Sequence, residues 1–179
     1  DVLLFQDVYL PYFPPPSQAE AETLERLLRE VKGKGYPMKV ALIGSAGDLG
    51  ANPDLLGRPD DYAKLLASEI AFRVKDPHLL VVMAQGGLAG RNLGPGLAAL
   101  DGIEVDTAAK SDGLVRAAIA AVVAVAGANG HPTEVPAIGA DPQPAEKGGD
   151  THVWLYVVSG LIVLLGVALV AFSYRVRRA

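Results

Sequence analysis

The sequence contains no cysteine and only three histidines. Without cysteine the chain cannot form disulfides, run thiol redox chemistry or bind a metal through thiolates. His78, His131 and His152 lie far apart in the sequence, so none of them has a partner at the spacing of a zinc or copper site. No Gly-x-Ser-x-Gly motif is present to form a nucleophile elbow. These absences argue against disulfide scaffolds, zinc or copper enzymes and elbow-type serine hydrolases.

A basic face is also missing from most of the chain. Three of the 16 Lys and Arg residues lie in residues 175–179, and none of the 20 Asp and Glu residues does. The remainder therefore holds thirteen basic residues against twenty acidic ones, a net charge of −7. Nucleic acid binding requires a positive surface, so we expect no nucleic acid partner.

One long apolar run stands out in the sequence. Residues 153–174 read VWLYVVSGLIVLLGVALVAFSY, with no charge and no proline. As a helix this run is about 33 Å long, enough to cross a hydrocarbon core of about 30 Å. Three arginines follow within residues 175–178. We predict a transmembrane helix over residues 151–174 and a cytoplasmic basic tail over residues 175–179. Its length and the arginines disfavour the alternative, a buried helix of a soluble core.

This orientation predicts a single-pass protein of the cell membrane, with its N-terminus outside and its C-terminus in the cytoplasm. An exported chain normally begins with a signal peptide, and Asp1 does not open one, so we expect that peptide to have been removed.

Small residues recur along one side of the predicted membrane helix. Ser159, Gly166 and Ser173 are seven residues apart, and Gly160 widens their stripe. Small side chains let two helices approach closely, so we predict that these four residues contact a helix of a partner membrane protein. The other faces would meet the lipid bilayer. The alternative is that small residues are simply common in membrane helices.

The first sixteen residues are expected to form an extended clasp on the domain, in which residues 1–10 could add an edge strand. Residues 11–16 read PYFPPP and favour polyproline II, with Tyr12 and Phe13 needing a surface to lie against. This segment is either a proline-rich ligand for a partner or a rigid lead-in to the next helix.

Residues 17–126 are predicted to form an extracytoplasmic α/β domain. Its pattern begins with a helix from Ser17 with a Ser17–Glu20 capping box, a strand at residues 38–43 and a helix from Pro59 with Phe72 on its buried side. A strand at residues 79–83, a short strand at residues 103–105 and a helix at residues 113–126, which Asp112 can cap, follow. Residues 84–96, rich in glycine, form either a pliable loop or a degenerate hairpin.

This order predicts a small, mainly parallel sheet with right-handed crossovers and helices on both faces, a three-layer α/β sandwich. The final helix is apolar nearly all round, so we expect the N-terminal segment or another subunit to cover it. Residues 127–150 are rich in glycine, proline, alanine and acidic residues and are predicted to be a linker.

Ligands of such folds bind beyond the carboxyl ends of the strands. We therefore predict a ligand rim at Ser45, Gln85, Arg91 and Asn92. Asp48, Asn52 and Asp54 offer oxygen atoms that suit Ca²⁺, although such residues are also common turn formers.

Several pieces of this region resemble the TPM-domain family: TLERLLREV, KVALIG, PDDYAKLLA, DPHLLVVM and SDGLVRAAIAAVV. The resemblance implies an extracytoplasmic α/β module, often tethered by one C-terminal membrane helix. Some such domains are credited with metal binding or phosphatase activity, and others with accessory roles in membrane complexes. After the second helix, FRVKD replaces the tryptophan and glycines usual in the family, and this favours an accessory role.

We therefore expect a non-catalytic accessory or assembly subunit that docks on a larger membrane protein complex, by analogy one of electron transport. The alternatives are a membrane-tethered, metal-dependent phosphatase-like hydrolase and an extracytoplasmic ligand or metal receptor. No cofactor is expected beyond a Ca²⁺ ion at the acidic loop.

Overall fold

The two apolar runs of the domain form neighbouring strands at the centre of a four-stranded sheet. A computed structural model describes residues 2–136. Its strands are β1 (Val8–Tyr9), β2 (Met38–Ile43), β3 (His78–Met83) and β4 (Gly87–Arg91). Its helices are α1 (Gln18–Gly33), α2 (Pro59–Ile70) and α3 (Lys110–Ala128), with one short 3-10 helix before β1 and four between the later elements.

The strands lie in the order β1-β2-β3-β4. β1 pairs parallel with β2, and β2 pairs parallel with β3, with Met38 opposite His78 and Ile43 opposite Met83. β4 returns antiparallel along β3. The α/β class is thus confirmed, with a mixed sheet. The N-terminal segment supplies an edge strand, and the glycine-rich stretch forms a hairpin.

Helices cover both faces of the sheet because the strand residues alternate between two cores. One core joins Val40, Leu42, Leu80 and Val82 to α1 and α3. The other joins Ala41, Ile43, Val81 and Met83 to α2.

The positions of α1 and α2 differ from those expected if every crossover between parallel strands were right-handed. The chain steps from β1 to β2 through α1 and from β2 to β3 through α2, in the same direction across the sheet. Crossovers of the same hand would place both helices on one face. Because α1 and α2 lie on opposite faces, the two crossovers have opposite hands, so the predicted right-handedness holds for only one of them. The right-handed preference arises where a twisted strand leads directly into a helix. β1 has only two residues, and a proline-rich segment separates it from α1.

α3 is covered within the domain itself. It packs against α1, β2, β3 and the 3-10 helix Gly94–Leu100. By length and composition alone Thr107–Ala128 could cross a membrane, but 61% of that window is buried inside the domain, as in the core helix of a soluble protein. The linker beyond residue 136, the predicted membrane helix at residues 151–174 and the basic tail lie outside the described residues.

Three local predictions are wrong. Residues 103–105 form no strand, since Asp101–Gly102 turns the chain there and Gly102 has a φ of +82°. The Ser17–Glu20 capping box does not form, because Glu20 pairs with Arg116 at 2.7 Å instead. Phe72, expected on the buried side of α2, follows the helix and is 77% exposed.

Candidate functional site

Asp48 organises the carboxyl edge of the sheet, just after β2. It is buried, with 8% of its surface exposed. Its Oδ2 accepts hydrogen bonds from the backbone N–H groups of Gly44 (3.0 Å) and Ser45 (2.9 Å) and from the Ser45 hydroxyl (3.3 Å). Its Oδ1 accepts from the Tyr12 N–H (2.9 Å) and the Tyr9 hydroxyl (3.4 Å). One carboxylate thus fastens the chain after β1 to the loop after β2.

The segment after β1, residues 11–16, is the aromatic segment of this site. It is held at three points along the backbone. Tyr12 donates its N–H to Asp48, the Pro14 carbonyl accepts from the Ser111 hydroxyl, and the Ser17 N–H, just past the segment, donates to Asp112 Oδ1 at 2.7 Å. Ser111 and Asp112 lie in the first turn of α3, so the segment bridges the sheet and that helix.

The two aromatic rings of this segment nevertheless point into solvent. Tyr12 is 87% exposed and Phe13 is 77% exposed, whereas the preceding Pro11 is buried. Prolines restrict φ and lower the conformational freedom of the segment before any partner binds. Large aromatic side chains on a rigid support are the residues that contribute most to protein–protein binding. The segment also leads directly into α1, as the alternative role of a lead-in requires, and the role of a ligand for a partner stays a prediction.

A cavity of about 320 Å³ lies on the other side of Asp48, towards α2. Its polar lining is Tyr9, Asp48, Asn52, Tyr62 and Glu69, and leucines from the 3-10 helices and α2 provide most of its apolar wall.

Both phenols of this cavity stay protonated at neutral pH. Burial raises the pKa of Tyr62 to about 12, and the nearby Tyr9, Glu69 and Asp48 add to the shift. Burial and the Asp48 carboxylate also raise the pKa of Tyr9. The two hydroxyls therefore serve as hydrogen-bond donors or acceptors and not as tyrosinates.

The structure separates the residues of the predicted calcium site. Asp48 and Asn52 line the same cavity, whereas Asp54 lies exposed on the next 3-10 helix, Pro53–Leu55, and is not part of the lining. Among residues 2–136, no three His, Asp or Glu side chains are grouped so that they could hold a metal ion. Asp48 already accepts five hydrogen bonds from the protein. Calcium binding stays a prediction.

The predicted ligand rim is divided between opposite edges of the sheet. Ser45 follows β2 and Gln85 lies in the β3–β4 turn, so both are at the carboxyl edge. Arg91 ends β4 opposite Leu79, at the amino end of β3, and Asn92 follows it. The prediction of a single ligand rim is therefore wrong, because β4 runs antiparallel to β3 and places Arg91 and Asn92 at the opposite edge of the sheet. There the Asn92 side chain donates to the Pro77 carbonyl at 3.2 Å.

The role of Ser111 was missed from the sequence. It is 3% exposed and supports the aromatic segment from 97 residues away. The signal in the sequence was a serine at the start of an otherwise apolar helix, where its hydroxyl can bind another segment of the chain. Asp112 was predicted to cap its own helix and instead binds the Ser17 N–H.

No family model, no curated protein and no solved structure matches this chain.

Proposed function

We propose that this chain is a single-pass, membrane-anchored accessory or assembly subunit, and that its external α/β domain docks on a larger membrane protein complex through the aromatic segment. By analogy, the host complex is one of electron transport, and the sequence resemblance to TPM domains supports an accessory role. The lipid bilayer would hold the predicted helix at residues 151–174, and a helix of the host would contact Ser159, Gly160, Gly166 and Ser173.

The observation that carries this proposal is the contrast between a fixed backbone and free side chains in the aromatic segment. Asp48 and Ser111, both at least nine-tenths buried, hold its backbone while Tyr12 and Phe13 remain exposed. A lead-in to α1 would need the same anchoring but not two adjacent solvent-exposed rings. A backbone that is already fixed loses little entropy when a partner covers its exposed rings, which favours binding.

A matched pair of variants tests the proposal. Phe13 and Phe72 are both 77% exposed, so replacing either by serine removes an exposed ring without touching the core. The tagged full chain would be expressed in its own membranes and analysed by native electrophoresis after mild detergent extraction. Wild type and Phe72→Ser should migrate within one large complex of fixed composition, and Phe13→Ser should migrate free. Equal migration of the two variants would show that the aromatic segment does not bind the host.

A second candidate function, an extracytoplasmic receptor for a small ligand or metal, is favoured by the cavity beside Asp48. Its volume of about 320 Å³ is at the lower end of small-molecule sites, and apolar walls surround a few polar groups. Calorimetric titration of the full chain with Ca²⁺ and Mg²⁺ tests the metal form of this candidate. Binding heat in the wild type that Asp48→Asn abolishes would favour the receptor. No binding heat in the wild type would show that the cavity does not bind these metal ions.

A further inference from the structure

The edge of the sheet opposite the aromatic segment carries a second pair of exposed aromatic rings. This amino edge contains the residues that precede the parallel strands β1, β2 and β3, together with the end of β4. Phe5 comes before β1 and is 76% exposed, and Phe72 lies between α2 and β3. The guanidinium of Arg73 lies 5.0 Å from the centroid of the Phe5 ring, which joins the two segments.

The amino edge also carries free positive charge in an otherwise acidic chain. Within residues 2–136, Arg73, Lys75 and Arg91 lie at this edge and form no ion pair with a carboxylate. Asp76, next to Lys75 in the same loop, is also outside any ion pair within that range and offsets one of these three charges. Other lysines at this edge are neutralised internally, as Lys39 is by Asp7 at 2.9 Å. Exposed aromatic rings beside unpaired cations are the composition of a surface that lies on anionic lipid headgroups.

The chain leaves the described domain at the same edge. His131 stacks on Tyr36, which precedes β2, with ring centroids 5.4 Å apart. Lys34 Nζ donates to the Pro132 carbonyl at 2.8 Å, and the Thr133 hydroxyl donates to Glu30 at 2.6 Å. Residues 137–150 separate this point from the predicted membrane helix.

We propose that the amino edge is a membrane-contact face that binds anionic lipid headgroups through Phe5, Phe72, Arg73, Lys75 and Arg91. This inference rests on the proposed membrane tether. The rings lie at the boundary of headgroups and acyl chains, and the cations contact lipid phosphates. The aromatic segment, at the opposite edge, then faces away from the bilayer, towards the external part of a host complex.

The absence of cysteine allows a direct test with single labels. Ala71 and Ala46 are both exposed and lie next to the amino and carboxyl edges, respectively. The full chain with Ala71→Cys or Ala46→Cys would carry a fluorophore and be reconstituted into vesicles containing headgroup-nitroxide lipid. The vesicles would be phosphatidylcholine alone or phosphatidylcholine mixed with phosphatidylglycerol. We expect strong quenching at position 71 in the anionic vesicles, weak quenching there in the neutral ones, and little at position 46 in either.

Further variants identify the groups responsible. In the Ala71→Cys chain, Arg73→Gln and Lys75→Gln should each lower the ratio of bound to free domains by about fivefold. Phe72→Ser should also lower the quenching, whereas its matched control Phe13→Ser should not.

Equal quenching at positions 71 and 46, or quenching at position 71 that does not depend on anionic lipid, would overturn the inference. If the chain resists carbonate extraction from vesicles while position 71 stays unquenched, the tether stands and the membrane-contact face is wrong. If carbonate releases the chain, both proposals are wrong.

Discussion

Replacing Asp48 by asparagine tests how the aromatic segment is fixed. The substitution keeps the shape of the side chain but turns one acceptor oxygen into an NH₂ donor. In the native structure Oδ2 meets two backbone N–H groups, and Oδ1 meets the Tyr12 N–H and the Tyr9 hydroxyl. Whichever way the amide is turned, at least one backbone N–H loses its acceptor and faces another donor.

The expected cost follows from burial. An unsatisfied buried donor costs about 1–3 kcal/mol, and the lost negative charge weakens the remaining hydrogen bonds, so we expect Asp48→Asn to destabilise the domain by about 3 kcal/mol. For a domain of this size, that corresponds to a fall in the unfolding midpoint of roughly 10 °C.

Circular dichroism during heating of the detergent-solubilised full chain measures this loss. Asp54→Asn is the matched control, because Asp54 is exposed on the neighbouring 3-10 helix and its replacement should change stability by less than about 0.5 kcal/mol. Hydrogen exchange adds a local measurement, since the Tyr12 amide should lose its protection in Asp48→Asn. Equal midpoints for the two variants, with Tyr12 still protected, would refute the view that Asp48 holds the segment.

Three other predictions address the charges, the membrane helix and the topology. Partial burial alone would raise the pKa of Asp7, but its hydrogen bonds and ion pairs with Lys39 and Lys32 outweigh this and lower it. The stabilisation is therefore present above the unfolded pKa and is lost as pH falls through the lower folded pKa. In urea unfolding, the difference in unfolding free energy between wild type and Asp7→Asn should therefore shrink in that acidic window. A difference that stays constant with pH would contradict this. Gly166→Leu should release the chain from its complex in native electrophoresis but leave it in the membrane, whereas Leu164→Ala should leave it both in the complex and in the membrane; equal retention of the two variants in the complex would place the binding in the external domain. A protease added to intact cells should digest the domain, and loss of only a short C-terminal piece would reverse the proposed topology.

The elements of the fold that the sequence predicts are those whose signals are local. MKVALI, apolar except for Lys39, and LLVVM, apolar throughout, form the two central strands. Pro59 starts α2 as expected, and the apolar face of α1 is buried at Leu24, Leu27 and Val31. In each case a few adjacent residues contain the information.

The parts that were not predicted depend on distant contacts. The hairpin strand β4, one of two alternatives for the glycine-rich stretch, depends on pairing with β3, where Gly90 lies opposite Leu80. Gly90 has no room for a side chain, because a Cβ there would lie 2.1 Å from a Leu93 methyl group. No local pattern shows this. The Ser17–Glu20 pair has capping-box spacing, but Glu20 binds Arg116, 96 residues away. The site was only partly predictable for the same reason: Asp48 was singled out from its loop, while its bond to Tyr12 spans 36 residues.

Site-specific photo-crosslinking from the aromatic segment tests the central claim most directly. A photoreactive phenylalanine analogue at position 13 of the full chain, irradiated in native membranes, should form a cross-link to the external part of one integral membrane protein. The same analogue at position 72, on the equally exposed Phe72, should give lipid adducts and no such protein cross-link. Protein cross-linking of equal yield from both positions, or none from position 13, would contradict the account.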